Sequence, residues 1–349
     1  MFSSTGRLSG LLSRGLAAGF LTMAGVVGAS ANAGELTVYS SAGADVLKVY
    51  ADLFAKSHPA IKVNWVRDST GILQAKLIAE KDNPRADLVF GHTAANMVVL
   101  GQAGMLMPYA PKGLERLSPI YLEKRNPPQW VGMYGWASAM CFNTIEAKQA
   151  GVPKPASWAD LTQPAYKGKV VMPNPSSSGT GLLMVNAWIQ MWGEDKAWAY
   201  MDKLNENIAT YTLSGDKPCE LAGAGEYVVG LSLPVRGAKV KSAGAPIDVI
   251  IADEGTGWDM QASGILKTTK NVEDAKVLMD WAISNDAMEA YGRNSEVTAV
   301  PVKVAKMENI PGNIADKMIK VDFDRVAKDQ ARVVAEWRRR YDSKSEQKK

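Results

Sequence analysis

The 349-residue chain is poor in the residues that hold metals or react covalently. It has two histidines, His58 and His92, which excludes a site built from several histidines. It has two cysteines, Cys141 and Cys219, and no C-x-x-C, so nothing resembles a zinc site and only one internal disulfide is available. No lysine follows Gly181, so the G-x-x-x-x-G-K-[S/T] phosphate loop is missing. No G-x-S-x-G nucleophile turn occurs either. Charge of one sign is also scarce. Lys and Arg number 40 and Asp and Glu 36, a net of +4 that does not argue for nucleic acid. The basic run Arg338–Arg340 and the final Lys348-Lys349 read as a solvated tail. Beyond Ala33 there is no long apolar run, no convincing repeat and no low-complexity domain.

What is present begins with an export signal. Arg7 and Arg14 precede a small, apolar run from Leu16 to Ala29, and Ala31-Asn32-Ala33 fits the A-x-A cleavage pattern. The run is too short and too rich in small residues to span a membrane well. A mature chain starting near Gly34 is expected, periplasmic and without further membrane segments. Removing Arg7 and Arg14 leaves it a net charge of +2. In that oxidising compartment Cys141 and Cys219 could pair, although sequence does not establish that they meet.

The remaining length suggests two domains, and strands alternate with helices as in α/β proteins. Leu36–Tyr39, Ile61–Val66 and Ala86–Gly91 read as strands, each ending in a polar or glycine-rich turn that opens a helix. Ligands of open α/β sheets bind at the carboxyl ends of strands. Ser40, Ser41, Ser69, Thr70 and His92 therefore fall where a ligand would be gripped, though each taken singly is also a plain helix cap. Val131–Asn143 is a long strand-like run that could carry the chain from one lobe to another. Thr144 to about Ala245 has a strand–helix pattern of its own. Ile247–Ile251 and Trp258–Leu266 return the chain, and helices close it.

The most informative stretch is Lys169-Val-Val-Met-Pro-Asn-Pro-Ser-Ser-Ser-Gly-Thr-Gly181, followed by a helical pattern with Val185, Trp188, Ile189 and Trp192 on one face. The first N–H groups of a helix lack intrahelical partners and sit at the positive end of its dipole. A phosphate, phosphonate, sulfate or carboxylate can accept from them. Ser176, Ser177, Ser178 and Thr180 add hydroxyl donors, and Gly179 permits close approach. The alternative is a capped helix with a serine-rich surface loop.

Taken together, the export signal, V-Y-S-S-A-G, D-S-T-G, A-D-L-V-F-G, the Trp136–Asn143 strand and N-P-S-S-S-G-T-G resemble the extracytoplasmic solute-binding proteins of ABC importers. The resemblance lies with the branch shared by ferric-iron and 2-aminoethylphosphonate binders. It implies an α/β fold of two lobes, hinge strands between them and a ligand in the cleft. The expected parts are 34–142 (lobe 1), 143–246 (lobe 2), and 247–349 (hinge return, completion of lobe 1, C-terminal helices). A monomer is expected, with a membrane permease as partner, no cofactor and no enzymatic activity. Ferric binders carry adjacent tyrosines after the strand that follows a G-E dipeptide. Here Gly225-Glu226 leads through Tyr227 to Arg236, with no tyrosine pair. An arginine there favours an anion. The Ser214–Glu220 turn and Gly257-Trp258-Asp259 look more like the aminoethylphosphonate branch. A phosphonate would suit the serine-rich loop, and an ammonium would need a carboxylate or an aromatic face. Asp68, Glu220, Glu226 and Glu296 are candidates for the first, and Tyr39, Tyr227 and Trp258 for the second. The expected cargo is a small phosphonate, above all 2-aminoethylphosphonate, delivered to the permease; ferric iron is the alternative cargo. A secreted hydrolase using Ser177 or Ser178 with His58 or His92 is the alternative from another class.

Overall fold

The computed structural model describes residues 34–295, 297–305 and 307–347. Residues 1–33, where an export signal is expected, lie outside the described residues, as do Glu296, Lys306 and the last two lysines.

Among the described residues twelve strands form two sheets. The first contains β1 (Gly34–Ser40), β2 (Ile61–Arg67), β3 (Leu88–Thr93), β4 (Leu106–Met107), β5 (Val131–Ala137), β11 (Trp258–Leu266) and β12 (Val297–Thr298), in the order β12-β5-β11-β3-β1-β2 with β4 paired to β11. The second contains β6 (Ala139–Asn143), β7 (Val170–Pro173), β8 (Ile208–Thr212), β9 (Val229–Ser232) and β10 (Ile247–Ile250), in the order β10-β6-β9-β7-β8. Parallel strands covered on both faces need continuous apolar runs rather than alternation. Leu88–Phe90 and Val170–Pro173 are such runs, in strands buried at every position.

Helices cover the first sheet: α1 (Ala44–Ser57), α2 (Thr70–Ala79) and α3 (Ala94–Gln102) follow its parallel strands, and α9 (Val272–Ala282) and α10 (Asn285–Gly292) follow β11. Around the second sheet lie α4 (Thr144–Ala150), α5 (Gly179–Trp192), α6 (Glu194–Asn207), α7 (Lys217–Gly223) and α8 (Pro234–Ser242). The short α11 (Ile314–Lys317) and the long α12 (Phe323–Tyr341) end the chain. Each sheet has its own core. Tyr50, Phe90, Tyr291 and Trp281 belong to the first, and Trp158, Trp188, Trp337 and Tyr211 to the second. The architecture is the expected two-lobed α/β fold.

Three differences from the expected boundaries have physical causes. The Val131–Asn143 run is broken at Ser138, where β5 leaves the first sheet and β6 enters the second. Ser138 N–H donates to the Gly257 carbonyl at 3.2 Å and to Thr256 Oγ1 at 3.1 Å. The outgoing and returning segments are thus bonded to each other at the hinge. Residues 247–250 pair antiparallel with β6 and so remain in the second lobe. Finally, α12 does not simply complete the first lobe. Val326 and Ala327 pack on Ala95, but Val333, Trp337 and Tyr341 enter the second core, and Glu346 N–H donates to the Tyr211 carbonyl. Its apolar residues form one long stripe that both lobes share.

Cys141 and Cys219 are joined in a disulfide that ties β6 to α7 in the second lobe.

Candidate functional site

A cavity of about 90 Å³ lies between the two sheets, several times the ~10–15 Å³ that one water needs. The first lobe supplies the loops after β1 and β2, with Ser41, Asp45, Arg67, Ser69 and Thr70, and a wall of Tyr50, Tyr134, Trp136, Gln261 and Asn294. The second supplies Ser178, Gly179 and Thr180, then Ser214–Asp216, Arg236 and Lys239.

Four helices begin on this wall: α1 after Gly43, α2 after Ser69, α5 after Ser178 and α8 after Leu233. None of the four has a side-chain cap. Among the other helices α4, α10 and α12 are capped by Asn143, Ser284 and Asp322, whereas α3, α6, α7, α9 and α11 are not. Uncapped N–H groups from both lobes therefore point their partial positive charge at one space.

The charged groups are arranged across the cleft. Arg236 reaches Asp216 at 2.8 Å in its own lobe and Asp45 at 3.2 Å in the other, with Glu220 at 3.6 Å. Lys239 reaches Asp45 at 2.6 Å. Burial would raise the Asp45 carboxyl, but Lys239 and Arg236 outweigh it and hold the pKa below the ordinary value. Arg67 Nε donates to the Ala42 carbonyl at 3.1 Å. Four buried polar atoms on the wall have no partner among the described residues: Tyr50 Oη, Trp136 Nε1, Gln261 Oε1 and Arg236 Nε.

Behind the wall His92 is fully buried, with Nδ1 2.9 Å from Ser41 Oγ and Nε2 3.1 Å from Gln74 Oε1. Burial lowers its pKa to about 3, so the ring is neutral and positions Ser41 rather than carrying charge. With the neutral ring's Nε2–H donating to Gln74 Oε1, the one Ser41 hydroxyl proton faces both the bare Nδ1 and the Gly91 carbonyl at 3.0 Å. The rings of Tyr50 and Tyr134 lie edge to face, 6.1 Å apart. Burial, with Tyr134 and Tyr291 nearby, pushes the Tyr50 phenol well above its ordinary pKa.

Of the residues expected from sequence, Ser41, Ser69, Thr70, Ser178, Gly179, Thr180 and Arg236 share the cavity. The others are placed elsewhere. Ser40 is fully buried and its Oγ accepts from Ala42 N–H, completing a turn. Ser176 donates to Asn174 Oδ1 at 2.6 Å, and Ser177 donates to the Leu213 carbonyl at 3.0 Å. Both hydroxyls are spent inside the loop. Trp258 donates to the Ile319 carbonyl, packs on Phe323 and faces a smaller void beside the hinge. Tyr227 is not on the wall. Tyr39 donates to Glu80. Asp68 accepts from Ser69 N–H at 2.7 Å, Glu226 is exposed, and Glu220 is half exposed behind Arg236. No hydrogen bond joins either histidine to Ser177 or Ser178: His58 stacks on Phe54, and His92 serves Ser41.

Sequence reasoning missed Asp45, Arg67, Asp216 and Lys239. The first three follow the carboxyl ends of β1, β2 and β8, so the same strand-end rule that found Ser41 and Ser69 reaches them. Trp136 and Gln261 lie within strands, where nothing local separates a wall residue from a core residue. Among the described residues no three His, Cys, Asp or Glu side chains cluster to hold a metal.

The sequence pattern of the bacterial extracellular solute-binding proteins matches residues 50–313. A Sinorhizobium fredii protein named as an ABC transporter periplasmic-binding protein is 28% identical over 302 residues, 83% of this chain and 82% of its own. A Salmonella typhimurium protein named for 2-aminoethylphosphonate binding is 25% identical over 263 residues, 73% of this chain and 74% of its own. The periplasmic binding protein AfuA of Actinobacillus pleuropneumoniae, solved with fructose-6-phosphate bound, superposes with a TM-score of 0.82 at 29% identity. That match covers 88% of this chain and 99% of AfuA. Iron-bound HitA of Pseudomonas aeruginosa superposes with a TM-score of 0.73 at 18% identity, covering 87% of this chain and 99% of HitA, a likeness of fold alone.

Proposed function

This chain belongs to the bacterial extracellular solute-binding proteins, and we propose that its cargo is a small solute with a phosphate monoester or phosphonate head. The protein is the periplasmic solute-binding component of an ABC transporter and not an enzyme. One observation carries the reading of the cargo: four uncapped helix starts, drawn from both lobes, face one cavity. An oxyacid accepts from such N–H groups and from the hydroxyls of Ser69, Thr70, Ser178 and Thr180 without needing many fixed charges. That suits a carrier, which must also release.

The far end of the cargo is the finer question. For 2-aminoethylphosphonate the ammonium would need an aromatic face, which Tyr50, Tyr134 and Trp136 on the wall could offer, or a free carboxylate. Asp45 and Asp216 line the cavity but are already engaged by Arg236 and Lys239. Trp136 Nε1 offers a donor and Gln261 Oε1 an acceptor, both buried and unpartnered. This pair suits neutral hydroxyls, so a hydroxylated phosphate ester of the fructose 6-phosphate kind is favoured, and 2-aminoethylphosphonate is the second reading. Ferric iron fits poorly, because it wants phenolates and burial keeps Tyr50 protonated.

Calorimetric titration with fructose 6-phosphate, 2-aminoethylphosphonate, inorganic phosphate and ferric citrate tests this. The phosphate ester should bind at least about tenfold tighter than the aminophosphonate, a margin of about 1.4 kcal/mol. Tight binding of ferric citrate with no response to any phosphorus oxyacid would overturn the reading.

A further inference from the structure

We propose that Arg67 reads the second negative charge of the cargo's head, and so sets a preference for dianionic monoesters and phosphonates over singly charged solutes. This rests on the phosphorus-oxyacid reading above. Arg67 ends β2 in register with Ser40 at the end of β1, so it emerges at the carboxyl edge of the parallel strands. Its Nε–H is anchored on the Ala42 carbonyl. Its side chain makes no ion pair among the described residues and is exposed where it lines the cavity.

The other wall cations are not free in this sense. Arg236 and Lys239 face Asp45, Asp216 and, at 3.6 Å from Arg236, Glu220, two positive charges against three negative. What is left to answer an incoming anion is Arg67, the unpartnered Arg236 Nε–H and the helix starts, each start worth about half a positive charge at its N-terminus. A dianion matches that sum better than a monoanion does. A guanidinium also presents two parallel N–H donors that fit two oxygens of one phosphoryl group.

A phosphate monoester gains its second charge near pH 6. From α1, Asp45 stays ionised, because Lys239 and Arg236 outweigh burial, and Tyr50 stays protonated, because it is buried. From β3, His92 stays neutral behind Ser41. From the second lobe the facing charges are Asp216, Arg236 and Lys239, paired as described, with Glu220 behind Arg236. Asp259 does titrate in this range, but it lies off the cavity wall, beside the hinge, and acts equally in wild type and variant.

The test is calorimetric titration of the whole mature chain with fructose 6-phosphate at about pH 8 and about pH 5. Wild type, Arg67→Gln and Arg67→Lys are compared. Arg67→Gln should bind about tenfold or more weakly at the higher pH, as for one lost charge-assisted hydrogen bond, and within about twofold of wild type at the lower. Arg67→Lys should recover part of the loss and keep the pH dependence. An Arg67→Gln variant that binds like wild type at the higher pH, or that loses the same factor at both, overturns the proposal. If the wild type gives no binding heat with fructose 6-phosphate, 2-aminoethylphosphonate or inorganic phosphate, the oxyacid reading falls, and this proposal with it.

Discussion

Gly71 and Ser177 join the lobes by backbone alone: Gly71 N–H donates to the Ser177 carbonyl at 2.8 Å. There is no room for a side chain. A Cβ on Gly71 would stand 2.1 Å from the Ser176 carbonyl oxygen, a backbone atom that cannot swing away. Nearby, a Cβ on Gly179 would stand 2.7 Å from Thr70 Oγ1. The starts of α2 and α5 thus touch through two glycines.

Gly71→Ala should therefore block closure without harming either lobe. Each lobe folds around its own core, and the clash exists only when the lobes meet. We expect affinity for the cargo to fall by about a hundredfold, the scale of about 3 kcal/mol. The ligand-free melting temperature should hardly change. Small-angle scattering of the variant should show no compaction with ligand. Compaction like that of wild type would show that the contact yields.

The serine-rich loop divides into two functions, and two variants separate them. Ser177 donates to Leu213 within its own lobe, whereas Thr180 lines the cavity. Ser177→Ala should lower stability by about 1 kcal/mol and leave affinity unchanged. Thr180→Ala should weaken binding by about tenfold with little change in melting temperature. Calorimetry beside a thermal melt decides it, and an affinity loss in Ser177→Ala alone would reverse the assignment.

These two residues also mark how far the sequence could be read. Strand, Ser/Gly loop and helix were legible at 169–192, because apolar runs and helical spacing dictate them. Which hydroxyls face the cleft was not, because that depends on Asn174 and Leu213 taking Ser176 and Ser177 as donors. Arg236 was legible as an anion-favouring residue, but its anchoring by Asp216 and Asp45 was not, since Asp45 lies in the other lobe. The shared helix α12 was missed for a similar reason. Its stripe is plain in sequence, but nothing local says that two cores divide it between them.

Asp45→Asn should loosen the closed form. The mutation removes the Lys239 contact at 2.6 Å and the Arg236 contact at 3.2 Å across the cleft. The groups are partly exposed, so the effect should be modest, below about tenfold in affinity. It should shrink further in high salt. Because the Asp45 pKa is depressed, its contribution is present above the ordinary carboxylate value and lost as pH falls through the lowered one. Titrations in low and high salt check this, and a loss independent of salt would point to a packing effect.

Reduction of the Cys141–Cys219 bond, which closes a 78-residue separation, should destabilise the second lobe by about 4 kcal/mol on the chain-entropy estimate. Thiol titration of denatured, unreduced protein should find no free thiol. Two reactive thiols in that assay would rule the bond out.

Asp259 should give the whole protein a pH-dependent stability. It lies on β11 opposite Trp136, with Oδ1 accepting from Met260 N–H at 2.7 Å and from Ala94 N–H at 3.1 Å at the start of α3. Burial raises its pKa to about 7, against the pull of those two bonds. No other ionisable side chain lines the void it faces, where Leu182, Leu183 and Asn186 of α5 lie. A raised carboxyl pKa means the folded chain holds a proton that the unfolded chain has released. The stabilising proton is fully counted below the ordinary value near 3.8, and its benefit is lost as pH rises through about 7. Across that window the change is on the order of 4 kcal/mol, because each tenfold difference in proton affinity between the folded and unfolded chain is worth about 1.4 kcal/mol. Other buried or paired carboxylates, such as Asp45, work in the opposite sense at lower pH, so the effect shows as a difference between proteins. Asp259→Asn keeps an acceptor for Ala94 and Met260 without the charge. Relative to wild type it should be more stable at about pH 8 and lose that advantage toward about pH 5. Thermal melts of the two proteins across that range measure it. Parallel profiles would mean that Asp259 is ionised in the folded protein throughout, and that water reaches it beside the hinge.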